Sequence, residues 1–261
     1  MENIGDGAYV PDRNTMMLQG RTVTKCFGGL VALSRIDFDI AERTIVGLIG
    51  PNGSGKTTLF NCISGFYRPD EGSIRFGGKE LTKLKPSHIA RLGIARTFQI
   101  VRPLKELSVL DNVATGILYG ERIADLEQAR DKARDLLRFT GLDSKRDVHA
   151  GLLKLADRKR LEVTRALGIR PRLLLLDEVF AGLNQKEIDE AIHLIFQIRQ
   201  EMGITIVMIE HVMKAIMKTC DRIIAIHLGI KVAEGRPVEV ANNPEVIEAY
   251  LGKDYAESGT A

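Results

Sequence analysis

Residues 50–57 of the sequence read Gly-Pro-Asn-Gly-Ser-Gly-Lys-Thr and match the pattern G-x-x-x-x-G-K-[ST] in full. Glycines at such positions let the backbone fold around a pyrophosphate so that several N–H groups point inward. Lys56 offers a positive charge to the β- and γ-phosphates, and Thr57 offers a hydroxyl that can bind Mg²⁺. We therefore expect a phosphate-binding loop, and the residues assigned to it are Gly50, Pro51, Asn52, Gly53, Ser54, Gly55, Lys56, Thr57 and Thr58.

The residues on either side of this loop support the same interpretation. Residues 44–49 are apolar and β-branched, which favours a strand that stops at Gly50. Residues 56–64 have the pattern of a helix, and the positive end of a helix dipole favours an anion bound there. The alternative, a glycine-rich turn with an incidental lysine, leaves the order strand, loop, helix unexplained.

Two adjacent carboxylates, Asp177 and Glu178, follow the apolar run 173–176. At the end of a buried strand, Asp177 can lie near Mg²⁺, and Glu178 can accept a proton from an attacking water. Taken alone, the pair could equally be an acidic turn at a strand end. Together with the phosphate loop upstream, it predicts hydrolysis of ATP with Mg²⁺ and argues against a module that only binds the nucleotide.

Apolar runs and helical patterns alternate along the rest of the chain. Runs without polar alternation suit a parallel sheet that is buried on both faces, and they occupy residues 173–176, 204–209 and 223–226. Two alternating segments, 17–24 and 36–40, flank the Gly28-Gly29 turn and predict antiparallel strands. Residues 107–139 have helical spacing, which predicts a helical insert of about 50 residues. The fold class is therefore α/β.

Composition narrows the class of protein. The 261 residues are 44% hydrophobic and 27% charged, and the net charge of +3 gives no reason to expect a nucleic-acid partner. Cys26, Cys62 and Cys220 lack the spacing of a zinc site or a disulfide framework and fit a reducing compartment. Residues 1–14 do not resemble a secretory signal, and no apolar run approaches the roughly 20 residues that span a bilayer. We expect a cytoplasmic protein whose membrane role depends on a partner.

With these motifs in this order, the chain resembles an ATP-binding cassette subunit nearly end to end. The resemblance implies that Phe27 stacks on adenine and that Gln99 touches Mg²⁺ and the attacking water. It also implies that His211 contacts the γ-phosphate and that Asn184, in the segment 181–184, lies in a loop crossing a dimer interface. Taken alone, each of these residues could equally be a core residue, a solvated surface residue or a helix cap. Their order and spacing after the phosphate loop favour the functional roles.

The resemblance also implies the architecture. We expect a P-loop NTPase core of the RecA-like type, with an antiparallel β part at the N-terminus and a helical subdomain at about residues 100–168. A single domain would span residues 15–255, with flexible tails at 1–14 and 256–261. In this family two chains sandwich two ATP molecules head to tail.

Three segments are similar to the ATPases of branched-chain amino acid importers, and they are residues 27–32, residues 96–99 with 107–113 behind them, and residues 243–252. That branch implies membrane permeases as partners, a second ATPase subunit and, indirectly, an extracytoplasmic substrate-binding protein. It would place the chain on the inner face of the cell membrane. The branch also includes ATPases for urea, amides and lipopolysaccharide export. A cassette ATPase acting on ribosomes or DNA is the rival, but such proteins usually carry two cassettes or a long coiled-coil insertion.

The chain departs from the family where a Leu-Ser-Gly-Gly-Gln signature normally completes the partner's site. Alignment of the following helix places Lys154, Leu155, Ala156 and Asp157 in the last four of these positions. Either Lys154 replaces the serine hydroxyl by charge, or the completed site is weakened and the chain works in a heterodimer with a different ATPase. We favour the heterodimer. A second departure is Val179, since the family usually has a proline there, which would stiffen the turn after Glu178.

Overall fold

The computed structural model describes residues 16–98, 103–121 and 124–251. Gln99 and the two expected tails, 1–14 and 256–261, lie outside these residues. The strands are β1 Met16–Phe27, β2 Leu30–Ala41, β3 Ile45–Ile49, β4 Glu71–Phe76, β5 Lys79–Glu80, β6 Ile94–Arg96, β7 Leu173–Asp177, β8 Thr205–Ile209, β9 Arg222–His227 and β10 Ile230–Gly235. The helices are α1 Lys56–Ile63, α2 Pro86–Arg91, α3 Val109–Glu121, α4 Leu126–Phe139, α5 Leu155–Leu167, α6 Gln185–Met202, α7 Met213–Thr219, α8 Pro237–Ala241 and α9 Pro244–Leu251, and short 3-10 helices cover Asp143–Lys145 and Ala150–Leu152.

The central sheet has the strand order β10-β9-β3-β8-β7-β6. Its strands run parallel from β9 to β6, while β10 pairs antiparallel with β9. Every residue of β3, β7 and β8 is buried. The prediction of a parallel sheet covered on both faces is therefore confirmed, and its cause is the unbroken apolar sequence of these strands.

Each central strand supplies alternate residues to two separate apolar cores. In β7, Leu173 and Leu175 face a core shared with the N-terminal sheet and α1, whereas Leu174 and Leu176 face a core shared with α5, α6 and α7. The N-terminal sheet is antiparallel, with order β2-β1-β4-β5, as predicted. Its strand β4 begins at Glu71, which pairs with Thr24 of β1.

The helical insert has its own apolar core, formed by α3, α4 and one side of α5. Val113, Leu137 and Leu161 are buried there. Helix α5 also turns Val163 and Leu167 toward the core of the central sheet, so it belongs to both parts of the molecule. It starts at Leu155, with Lys154 as its N-cap residue.

The sequence did not predict several short elements, which are β5, β6, β10, α2, α8 and α9. Strand β6, only Ile94–Arg96, is too short to show periodicity, yet it pairs in parallel with β7 and completes the edge of the sheet. Among the described residues, no helix is long and apolar enough to cross a membrane. The three cysteines are free thiols, in agreement with the expectation of no disulfide framework.

Candidate nucleotide site

The phosphate loop connects the buried strand β3 to α1, at the carboxyl edge of the central sheet. Lys56 is the first residue of α1, and its ammonium donates hydrogen bonds to the carbonyl oxygens of Gly50 at 2.7 Å and Pro51 at 2.8 Å. Lys56 is only 5% exposed. Burial lowers the pKa of Lys56, an effect opposed by the negative charges of Glu178 and Asp177. The loop is thus folded around its own lysine, within the field of both carboxylates.

Two glycines close the loop against neighbouring strands. Gly50 has φ 150°, and a Cβ there would lie 2.0 Å from the carbonyl oxygen of Ile226 in β9. Gly55 has φ 109°, and a Cβ there would lie 2.5 Å from the carbonyl oxygen of Ala32 in β2. Because Gly55 is the N-cap residue of α1 and has no capping side chain, the first N–H groups of this helix suit an anion.

Asp177 is the last residue of β7 and forms a buried ion pair that the sequence analysis missed. Its Oδ2 accepts a hydrogen bond of 2.9 Å from Nη2 of Arg96, at the end of β6. Asp177 is 4% exposed, and burial raises the pKa of its carboxyl group while Arg96 opposes the rise. The guanidinium also donates to Asn61 Oδ1 at 2.6 Å and to Ser64 Oγ at 3.2 Å. Arg96 therefore ties Asp177 to the helix that follows the phosphate loop.

Aromatic rings fix the guanidinium of Arg96 further. Its central carbon lies 5.5 Å from the ring centroid of Phe60 and 5.1 Å from that of Phe98. Such cation–π contacts attract the guanidinium to the two rings and help to hold it in place. Phe98, the residue before Gln99 in the sequence, therefore lies beside the ion pair of Arg96 with Asp177.

Glu178 lies in a constrained turn beside His211, so the structure brings these two predicted residues together. Its φ of 51° is left-handed, which costs a non-glycine residue roughly 1–2 kcal/mol. Two hydrogen bonds hold the turn, since its N–H donates to Ile209 at 2.9 Å and its carbonyl oxygen accepts from Lys159 Nζ at 2.7 Å. The side-chain Oε1 lies 3.1 Å from His211 Nε2. Val179, the next residue, packs in the apolar core, and the turn is held without a proline.

Helix α5 contacts the backbone of Glu178 and of Phe98 through Lys159 and Glu162, which lie one turn apart. Lys159 binds the carbonyl of Glu178, as described above, and Glu162 Oε1 accepts the N–H of Phe98 at 2.9 Å. Burial lowers the pKa of Lys159 and raises that of Glu162. The helix that begins at the signature position therefore positions both the predicted base and the residue preceding Gln99.

A third carboxylate, Glu210, lies beneath the same edge of the sheet and is 1% exposed. Its Oε1 accepts the N–H of Phe180 at 2.7 Å. Burial raises the pKa of Glu210 to about 7, against the opposing effects of the Phe180 N–H and the positive charge of Lys159. The sequence held a usable signal for Glu210, because it follows an apolar strand just as Asp177 does.

The raised pKa of Glu210 predicts a pH-dependent stability. The folded pKa of about 7 exceeds the ordinary value of 4.5, so folding favours the protonated group. Its contribution is complete below about pH 4.5 and is lost as the pH rises through about 7. Between about pH 5 and about pH 8.5, the free energy of unfolding should fall by about 2–3 kcal/mol more in the wild type than in Glu210→Gln.

Urea unfolding at both pH values measures this difference between wild type and Glu210→Gln. The exposed Glu201→Gln serves as control, and parallel profiles for wild type and Glu210→Gln would contradict the assignment.

The remaining residues of the predicted nucleotide site are partly exposed. Phe27 ends β1 and is 42% exposed, with its ring 5.1 Å from that of Tyr67 in an edge-to-face contact. Thr57 is exposed and Thr58 half-buried in the first turn of α1. The ring of Phe27 and the side chain of Thr57 are therefore accessible to a ligand.

The predicted signature and dimer-loop residues form a second surface. Lys154 is the exposed N-cap residue of α5, and Asp157 in its first turn forms an ion pair with Lys145. Leu155 Cδ2 lies 3.0 Å from the position of a Cβ on Gly182, so Leu155 packs against the segment 181–184 at this glycine. Asn184 caps α6, accepting from the N–H of Glu187 at 3.0 Å. The structure thus gives Asn184 a capping role within its own chain, which the sequence analysis did not predict.

Comparison with protein families matches residues 33–181 to the ABC transporter model. Residues 231–256 match a second model, described as branched-chain amino acid ATP-binding cassette transporter. The high-affinity branched-chain amino acid transport ATP-binding protein LivG of Salmonella typhimurium is 42% identical over 241 residues, covering 87% of this chain and 94% of LivG. BraF of Pseudomonas aeruginosa, which has the same descriptive name, is 40% identical over 251 residues, covering 91% of this chain and 98% of BraF.

Solved structures agree with these sequence matches. The ADP conformation of MJ1267, an ATP-binding cassette of an ABC transporter, superposes with a TM-score of 0.83 at 31% identity, covering 91% of this chain and 99% of MJ1267. The dimeric post-hydrolysis state of the cassette MJ0796, bound to ADP and Pi, gives a TM-score of 0.77 at 25% identity, covering 85% of this chain and 99% of MJ0796. The expected P-loop NTPase fold is confirmed, and the chain belongs to the ATP-binding cassette family of ABC transporters.

Proposed function

We propose that this chain binds and hydrolyses ATP with Mg²⁺ and powers import of branched-chain, or other small hydrophobic, amino acids through membrane permeases. The observation that carries the hydrolytic part is the meeting of Lys56, Asp177 and Glu178 at one edge of the sheet, with Glu178 beside His211. The substrate class is supported by the names of the relatives and by the match of the C-terminal segment to the branched-chain model.

The residues present fit a bound Mg²⁺, which prefers oxygen ligands in an octahedral arrangement. Asp177 offers a carboxylate and Thr57 an exposed hydroxyl at the same edge, and Gln99 is the third proposed ligand. When bound, Mg²⁺ would neutralise charge that develops on the phosphates. Arg96 meanwhile favours the ionised, ligand-competent form of Asp177, because it opposes the effect of burial on that pKa.

In the proposed reaction this chain contributes positioning and electrostatics, which dominate phosphoryl transfer. The loop N–H groups and Lys56 bind the phosphates, and the ring of Phe27 stacks on the base. Glu178 orients the attacking water and accepts its proton. His211, 3.1 Å from Glu178, contacts the γ-phosphate from the neighbouring strand end. The hydrogen bonds of the turn hold the backbone of Glu178 at this edge of the sheet.

Lys154, Leu155, Ala156 and Asp157 are proposed to face the nucleotide of a partner ATPase, together with the loop that ends at Asn184. The N-terminus of α5 begins there, so its N–H groups suit a phosphate. Where the family has serine and two glycines, this chain presents longer side chains. We therefore propose a heterodimer in which this weakened signature completes the partner's site and a second, different ATPase supplies the other signature.

The weakened signature predicts slow hydrolysis by the isolated chain. Loss of one donor to a transition state typically costs about 10²–10³ in rate, so the isolated chain should be at least about tenfold slower than the assembled transporter. A variant with a family-like signature (Lys154→Ser, Leu155→Gly, Ala156→Gly, Asp157→Gln) is the matched comparison, and its phosphate release in isolation should exceed that of the wild type. Equal rates for the isolated wild-type chain and the transporter would refute the weakened-signature interpretation.

The transport role is tested by capturing the tagged full-length chain from native membranes in mild detergent and identifying what copurifies. We expect permease subunits and a second cassette ATPase. Purified in this form, the complex should hydrolyse ATP faster when a binding protein loaded with leucine is added, but not when urea is added. Recovery with ribosomes or DNA, and without permeases, would contradict the transport role.

A further inference from the structure

The C-terminal helix α9 contacts the phosphate loop through Tyr250. The hydroxyl oxygen of this tyrosine accepts a hydrogen bond of 2.7 Å from the N–H of Gly50, a residue 200 positions earlier in the chain. Helix α9 packs on β9, β10 and α8, and its Val246 is buried in the core of the central sheet. Tyr250 as a whole residue is 37% exposed, and its hydroxyl reaches the loop. The contact is therefore made by an anchored helix.

Gly50 is held on its other side by the lysine of the loop. Its carbonyl oxygen accepts from Lys56 Nζ at 2.7 Å, while Tyr250 binds its N–H. A third neighbour, the carbonyl of Ile226, approaches its Cα so closely that no Cβ fits. One residue thus links the C-terminal helix, the central sheet and the ammonium group that is proposed to meet the phosphates.

We propose that Tyr250 is a positioning residue of the nucleotide site and that α9 is part of that site. By fixing Gly50, the hydroxyl fixes the carbonyl to which Lys56 is bound and so sets where the ammonium lies relative to the β- and γ-phosphates. The proposal rests on the proposed binding of ATP by the loop. Lys56 meets these phosphates in the ground state and in the transition state alike, so loss of the Tyr250 contact weakens binding more than it slows the chemical step.

The variant Tyr250→Phe removes the hydroxyl and keeps the ring. One hydrogen bond of this kind contributes about 1 kcal/mol, which corresponds to about a five-fold change in Kd. We expect Tyr250→Phe to raise the Kd for N-methylanthraniloyl-ATP, measured by fluorescence with the full-length chain, by about five-fold. The KM for ATP of the purified transporter should rise in parallel, with kcat within about two-fold of the wild type.

Tyr119→Phe is the matched control, because its hydroxyl donates to the carbonyl of Ser87 at 3.3 Å, on an exposed side of α3. It should leave the Kd unchanged. Lys56→Ala should abolish binding and so tests the phosphate loop itself. Tyr250→Phe with an unchanged Kd, even if the melting temperature falls, would overturn the proposal and leave Tyr250 as a helix anchor. A wild-type chain that fails to bind the nucleotide would overturn the proposed function as well.

Discussion

Glu178→Gln is expected to slow ATP hydrolysis by about 10²–10⁴ while ATP binding persists, because an amide cannot accept a proton from the attacking water. Glutamine has the same shape as glutamate. The backbone hydrogen bonds of residue 178 to Ile209 and Lys159 do not involve the side chain, so the turn should stay in place. The variant complex should therefore trap ATP. Phosphate release and the amount of nucleotide retained after gel filtration measure the two parts of this prediction.

The control is Glu201→Gln, the same chemical change on an exposed residue near the end of α6. It should release phosphate at the wild-type rate. Unchanged turnover in Glu178→Gln would show that another group accepts the proton. Loss of ATP binding in that variant would instead show that Glu178 is needed to form the nucleotide site.

Arg96→Met should lower the free energy of unfolding by about 3–5 kcal/mol, the usual cost of leaving one member of a buried ion pair without its partner. Methionine fills similar space between the rings of Phe60 and Phe98 but carries no charge. Asp177 would then be buried without the arginine that opposes the rise of its pKa. A larger fraction of Asp177 would be protonated, and the affinity for Mg²⁺ should fall with it. Urea unfolding and Mg²⁺-dependent nucleotide binding measure these two effects.

The double variant Arg96→Met/Asp177→Asn distinguishes the cost of an unpaired buried carboxylate from the cost of lost packing around Arg96. Because it removes the uncompensated carboxylate, it should regain part of the stability that Arg96→Met loses. Arg138→Met breaks the exposed pair of Arg138 with Asp135 and should have a much smaller effect. If Arg96→Met is as stable as Arg138→Met, the buried ion pair contributes no more to the free energy of unfolding than the exposed pair does.

The parts of the site that the sequence predicted are those whose chemistry lies in consecutive residues. The phosphate loop occupies one segment and follows its own strand, so residue types and spacing were enough to predict it. Asp177 and Glu178 were predicted as site residues because an unbroken apolar run ends at them. Parallel strands bring such ends together at one edge of the sheet, which explains why Glu178 and His211 meet across two strands.

The parts that the sequence did not predict depend on contacts between distant residues. Arg96 and Asp177 are 81 positions apart, and Tyr250 and Gly50 are 200 apart. No periodicity in a strand as short as β6 indicates that Arg96 lies beside a buried carboxylate. Lys159 and Glu162 belong to α5, and a helical sequence pattern does not say which groups the polar residues of the helix meet. These contacts depend on tertiary packing.

The most direct test of the central claim is Mg²⁺-dependent phosphate release by the purified transporter complex, with the partner ATPase unchanged and this chain either wild type or Lys56→Ala. If ATP is hydrolysed at the edge formed by residues 50–57 and 177–178, the wild-type complex releases phosphate and Lys56→Ala lowers the rate by at least about tenfold. A Lys56→Ala complex that releases phosphate as fast as the wild type would contradict the account.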